Sequence, residues 1–300
     1  MYINTTGLVL RETAYKDSSK ILTVLTGGEG KLTVSAHGAL RRNSKLAAVT
    51  QLLAFSEMTL YSSKDRWTMT EARSVEQFIG LRDDLVLLAL GAYFAELTEA
   101  VADEDSPNPD LLPLILNALF ALSEKIKEPR YVKPAFELRL MAVSGFEPLI
   151  AECGECGSGD PESAVLSLRG GTIRCSKCAG APAAAYTVAS VGPAYGGGNS
   201  DGGGDGGASF GDSGRYPPRP RSDGGDGGAS AQNAETTGQV TLGAGALKAA
   251  NYIIGCDSKK LFSFALGETA LRELTVAAEG YLLAHLDRSF RTLDYYKGII

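Results

Sequence analysis

Two cysteine pairs, Cys153-Gly-Glu-Cys156 and Cys175-Ser-Lys-Cys178, constrain this chain of 300 residues more than any other feature. The C-x2-C-x18-C-x2-C spacing has the form of a four-thiolate zinc site. Each pair sets two sulfurs on one side of a tetrahedron, and two pairs close it. Four thiolates leave no open position for water, so the predicted metal is a structural zinc that staples the fold and catalyses nothing. Lys177 offsets part of the negative charge of such a centre. The alternatives are two disulfides or four unrelated thiols. Met1 to Thr6 contains neither a basic nor an apolar leader region, so the expected compartment is the cytoplasm, where thiols stay reduced and metal is favoured.

The length suggests about two domains. No apolar run of about 18 residues is present to span a bilayer, so no membrane partner is expected. The net charge of −6 argues against nucleic acid at first sight, but the charge is unevenly spread. Residues 1–80 carry +3 and residues 81–150 carry −6, which describes a weakly basic N-terminal module on an acidic body.

The first 80 residues read as strands. Gly7-Leu-Val-Leu10 and Lys20–Leu25 are apolar and rich in β-formers. After the turn Gly27-Gly-Glu-Gly30, the run Lys31–His37 alternates, with Leu32, Val34 and Ala36 on one face. Leu52–Tyr61 and Trp67–Arg73 complete five short strands, separated by the polar turn Ser62–Asp65. Five strands in this length fit a small closed barrel of the OB-fold type, a fold that often binds oligonucleotides. From Asp83 the period becomes helical, with Leu85, Leu88, Ala92, Ala95 and Ala102 on one face. Further helices are predicted over Leu111–Ile126, Val132–Val143, Leu242–Ile254 and Glu268–Phe290. The expected fold class is therefore α+β and multidomain. It comprises an OB-fold barrel over 1–80, a mostly α-helical domain in two parts over 81–150 and 239–300, and an inserted four-cysteine zinc module over 151–185. Residues 192–238 are expected to form a disordered linker. Fourteen of the 33 positions from Gly196 to Gly228 are glycine, a composition that cannot bury enough surface to offset its ordering entropy. A calcium-binding glycine–aspartate repeat is the sharper alternative, but the two similar stretches are not in tandem.

The strongest functional stretch lies between the third and fourth strands. Lys31 leads the third strand, His37 opens the following loop, and Arg41, Arg42 and Lys45 lie on it beside Asn43 and Ser44. These residue types pair with or donate to phosphates. Lys64 and Arg66 on the next hairpin extend the candidate DNA-binding set, and Tyr61 and Trp67 are candidates for stacking on bases. A solvated charged face, with Trp67 in the core, is the plainer alternative.

The chain as a whole resembles the bacterial RecO recombination-mediator family. The resemblance runs through Gly7-Leu-Val-Leu-Arg11, Tyr15–Thr26, Gly30-Lys-Leu32 and Gly38-Ala-Leu-Arg-Arg-Asn-Ser-Lys45. It continues through Arg82–Leu85, Tyr93–Leu97, Pro107–Pro109, Glu137–Met141, Gly145–Leu149, the cysteine module and Leu286–Leu293. It implies a protein of DNA repair, recombination and the DNA damage response, cytoplasmic and associated with the bacterial nucleoid. Such a protein binds single- and double-stranded DNA and anneals complementary strands. It acts with a RecR-like partner to load RecA on strands coated by single-stranded DNA-binding protein (SSB), whose acidic tail some members bind through the helical domain. Two features depart from the family pattern. His37 and Leu40 stand where the family usually carries lysine and arginine, and an imidazole holds less charge than an ammonium near neutral pH. The Gly/Asp-rich stretch replaces a short connection.

An enzyme is not expected. His37 and His285 are the two histidines, no HExxH or P-loop occurs, and four of the five cysteines are assigned to metal. His285 reads as a packed or capping residue and Cys256 as a buried thiol. The competing reading is a zinc-stapled adaptor that binds protein only, with the barrel as its docking platform. Lys133 and Arg139 are candidates for a basic pocket that takes an acidic tail.

Overall fold

The computed structural model describes residues 1–64, 66–104, 107–180 and 238–300. The linker expected over 192–238, with its calcium alternative, lies outside these apart from Gly238.

Five strands close a barrel in the order β1-β2-β3-β5-β4: β1 Tyr2–Tyr15, β2 Ser19–Thr26, β3 Lys31–Ala36, β4 Phe55–Ser63 and β5 Arg66–Glu76. All neighbours are antiparallel except β3 and β5, which pair in parallel with Val34 opposite Trp67. The alternating pattern of β3 sends Leu32, Val34 and Ala36 into the barrel, where they meet Val9, Leu22, Val24, Met58, Leu60 and Met69. β1 is the exception to alternation. Gly7, Leu8, Val9 and Leu10 are all buried, because Val9 points into the barrel while Leu8 and Leu10 join the core of the helical body. An apolar run without alternation is what a strand covered on both faces requires.

The helical body begins with α1 (Leu85–Val101), capped by the Asp84 carboxylate, which accepts from the amides of Val86 at 2.8 Å and Leu87 at 3.3 Å. α2 (Leu111–Ser123) and α3 (Pro129–Val143) follow, the latter opening with a proline at its first turn. Three strands, β6 (Leu149–Cys153), β7 (Ser163–Ser167) and β8 (Thr172–Cys175), lead to the one-turn helix α4 (Ser176–Ala179). After the undescribed stretch, β9 (Gln239–Gly243) completes a four-stranded sheet in the order β6-β8-β7-β9. α5 (Ala244–Gly255), α6 (Glu268–Leu286) and α7 (Arg291–Lys297) end the chain. The predicted helix over Glu268–Phe290 stops earlier, at Asp287, whose φ of 45° is left-handed and turns the chain toward α7. The four-stranded sheet is not an independent module. Ile150, Ala164, Leu166, Ile173, Val240 and Leu242 belong to the same core as α1, α2, α3, α5 and α6.

Candidate nucleic-acid interface and metal centre

The loop from His37 to Ala54 folds as a chain of turns because its apolar and polar residues separate cleanly. Ala39 and Val49 are buried against the barrel interior with Leu46 packed beside them, while His37, Arg41, Arg42, Asn43 and Lys45 face solvent. Gly38, at φ +72°, makes the turn in which the Arg41 amide donates to the Gly38 carbonyl at 3.1 Å. The Ser44 hydroxyl accepts from the Leu46 amide at 3.2 Å, and the Thr50 hydroxyl donates to the Leu46 carbonyl at 2.7 Å. The charged side chains thus ride on a backbone fixed from below.

A second turn joins this loop. The Leu40 amide donates to the Ser18 carbonyl at 3.0 Å, which holds the loop against the β1–β2 turn. Tyr15 and Lys16 stand there, the ammonium 5.2 Å from the ring centroid. Sequence reasoning missed both as partners of the loop, because 25 positions separate Lys16 from Arg41 and only the pairing of strands closes that distance.

Lys31 lies elsewhere. Its ammonium donates to the Glu99 carbonyl in the last turn of α1 at 3.1 Å, where the negative end of the helix favours a cation. Lys64 and Arg66 are exposed but stand at the other rim of the barrel: the parallel register sets the β4–β5 turn beside the start of β3, whereas the basic loop leaves from its end. Tyr61 is exposed and pairs with Tyr2 at a centroid distance of 4.8 Å. Trp67 is half-buried and packs against the barrel core. The tail pocket suggested around Lys133 and Arg139 is not offered to solvent by these side chains. Lys133 is buried between Glu137 and Glu279, and the Arg139 guanidinium donates to the carbonyls of Ile253 and Ile254. His285 is packed as expected, its Nδ1 3.0 Å from the Tyr281 carbonyl and its ring against Tyr281 and Phe146. The Cys256 thiol is half-buried and burial pushes its pKa up, which makes it a poor nucleophile.

The second site is the cysteine cluster. β6 delivers Cys153, the turn after it Cys156, the end of β8 Cys175 and α4 Cys178. Their four sulfurs all lie within 4.8 Å of one another, and Cys156 and Cys175 are 3.8 Å apart. A tetrahedron with bonds of about 2.3 Å has sulfur–sulfur edges of about 3.8 Å, so four thiol donors at this spacing suit a metal of that size. The Cys175 amide donates to the Cys153 sulfur at 3.3 Å. Donors from the backbone of Cys175, Cys156 and Glu155 hold the Cys153 thiol down at about 6, while the sulfurs of Cys156 and Cys175 push Cys178 up. One thiolate is favoured by the backbone; a full set of four needs a cation among them.

Fold and site together define a two-part protein, an OB-type barrel with a basic loop, docked on a helical body that carries a four-cysteine centre. The family model described as Recombination protein O N terminal matches residues 1–78, and that described as Recombination protein O C terminal matches residues 82–192. A DNA repair protein RecO of Acetivibrio thermocellus is 28% identical over 296 residues, covering 99% of this chain and 96% of its own. One of Caldicellulosiruptor bescii is 36% identical over 176 residues, 59% of this chain and 72% of its own, and one of Bacillus pumilus is 33% identical over 178 residues, 59% and 69% respectively. The chain belongs to the RecO family of DNA repair proteins.

Proposed function

We propose that this protein is a recombination mediator that makes and breaks no covalent bond. It binds single- and double-stranded DNA through the barrel, anneals complementary strands, and with a RecR-like partner helps load RecA on strands coated by SSB. The observation that carries this reading is the exposed set Arg41, Arg42 and Lys45 on a loop whose apolar residues anchor it to the barrel. Guanidinium and ammonium groups fixed in this way pair with phosphates without first paying the entropy of ordering a free loop. They neutralise two strands held near one another, which lowers the repulsion that opposes pairing, and released counterions supply most of the affinity.

Cys153, Cys156, Cys175 and Cys178 would hold the structural zinc. When bound, it supplies a closed tetrahedral staple and no open coordination position. The residues themselves fix where β6, β8 and α4 meet.

The test is strand annealing with complementary oligonucleotides, bare and SSB-coated, at low and moderate salt. Acceleration suppressed by salt is the expected result. Absence of both acceleration and DNA binding at low salt would favour the protein-only adaptor, for which the barrel is a docking platform.

A further inference from the structure

We infer that the barrel carries two separate sites for single-stranded DNA, one at each rim, and that the second is built by the β4–β5 hairpin with Tyr2 and Tyr61. The inference rests on the DNA-binding reading above and adds the number and place of the strands. At one rim the exposed ring of Tyr15 (46% exposed) stands with Lys16, and the bond from Leu40 to Ser18 brings the loop of Arg41, Arg42 and Lys45 beside it. The other rim repeats the same chemistry from different strands. Tyr2 and Tyr61 are 66% and 37% exposed, and their rings meet at 4.8 Å with 42° between planes. Lys64 and Arg66 follow Tyr61 across the turn, both exposed. Exposed aromatic faces beside exposed cations are the two components of a single-strand site.

What lies between the rims separates them into two sites. Outward along β3 stand Thr33 and Ser35, which carry no charge, and the Lys31 ammonium is turned to the Glu99 carbonyl. On the far side of the barrel, Asn4, Thr6, Thr59, Glu57, Glu71 and Arg73 line a concavity of about 490 Å³. Its two carboxylates against one guanidinium oppose a phosphate track there. They also orient a strand at the Tyr2–Tyr61 rim, with bases over the rings and phosphates toward Lys64 and Arg66. The parallel register sets Trp67 beside Val34, so Arg66 stands near Thr33, about 13 Å of strand before the loop that opens at His37.

Native mass spectrometry of the full chain with oligothymidylates of about six nucleotides, a length within the range of one OB site, counts the strands directly. The expected result is one protein with two strands at saturation. Tyr2→Ala with Tyr61→Ala, and separately Lys64→Ala with Arg66→Ala, should each leave one strand bound and weaken the second step about tenfold or more. Retained binding of the first strand reports that each variant is folded. Annealing should fall in both. A wild-type protein that saturates at one strand, or hairpin variants that still take two, would overturn the second site while leaving the DNA-binding reading intact. Loss of all strand binding in the wild-type protein would overturn both.

Discussion

Lys133, Glu137, Glu279 and Tyr93 place four ionisable groups inside the helical body. The ammonium lies 2.8 Å from Glu137 and 2.7 Å from Glu279, and the Tyr93 hydroxyl donates to Glu137 at 2.7 Å. Burial alone would lower Lys133, but the two carboxylates outweigh it and hold it above the usual lysine range. Burial pushes the fully buried Glu137 up against the pull of Lys133; for Glu279 the opposing pull of Lys133 and Lys297 prevails and holds it down. The depressed Glu279 contributes stability above the ordinary carboxylate range, and this is lost as pH falls through its folded value. The raised Glu137 has the opposite sign, favouring the fold below its unfolded value and less so as pH rises. Lys133→Met leaves the buried Glu137 without its cation and the partly buried Glu279 with Lys297 alone. It should cost about 3–5 kcal/mol near neutral pH, and less as acid protonates the carboxylates. Urea unfolding at pH 5 and pH 8 checks this, and an equal cost at both would contradict it. On the surface, Arg41→Ala with Arg42→Ala should leave stability within about 0.5 kcal/mol of wild type. The same change should weaken DNA binding and flatten the salt slope by about two units. Salt titration of binding reads this, and unchanged affinity would remove these residues from the site.

At the scale of elements, the turn between β2 and β3 ties the barrel to the helical body. The Thr26 amide donates to the Gly30 carbonyl at 2.8 Å, and the Lys31 amide donates to the Asp103 carbonyl just beyond α1 at 3.2 Å. Gly30 has a φ of +69°, and a Cβ there would sit 2.9 Å from the Asp103 oxygen. Gly30→Ala should therefore cost about 1–3 kcal/mol. Gly28→Ala in the same turn, where a Cβ meets nothing within 4 Å, should cost far less. Denaturant midpoints of the two variants separate close approach from a general effect of losing glycine.

For the whole molecule, the sheet that carries the cysteine centre shares one core with the helices. Metal loss is thus expected to be felt beyond the four-stranded sheet. Cys175→Ser should lose bound zinc and lower the melting temperature of the entire helical body, because metal binding here is also folding free energy. Metal analysis alongside thermal unfolding tests this, and a stable zinc-free variant with an unchanged transition would contradict it.

Local order was legible in the residues. The alternation of Lys31–His37, the helical spacing after Asp83 and the paired cysteines each report a pattern that a single strand, helix or turn imposes on its own sequence. The four cysteines could be grouped in advance because their spacing is itself local, and the structure brings all four sulfurs within 4.8 Å. The basic set could not be grouped in that way. Lys31, Arg41 and Lys64 look alike as sequence, yet one is bonded to a helix end, one sits on the loop, and one stands at the opposite rim. The sequence by itself determined the barrel strands, the main helices and the thiol cluster, since hydrophobic period and ligand spacing act over a few residues. It did not determine β6, β7, β8 and β9, the last of which takes Leu242 and Gly243 from a predicted helix. Tertiary structure alone decided which charges remain free, which lysine is buried between carboxylates, and that Tyr15 with Lys16 meets a loop 25 positions away. The physical reason is that strand register and helix packing, which no short stretch encodes, set every distance between residues far apart in the chain.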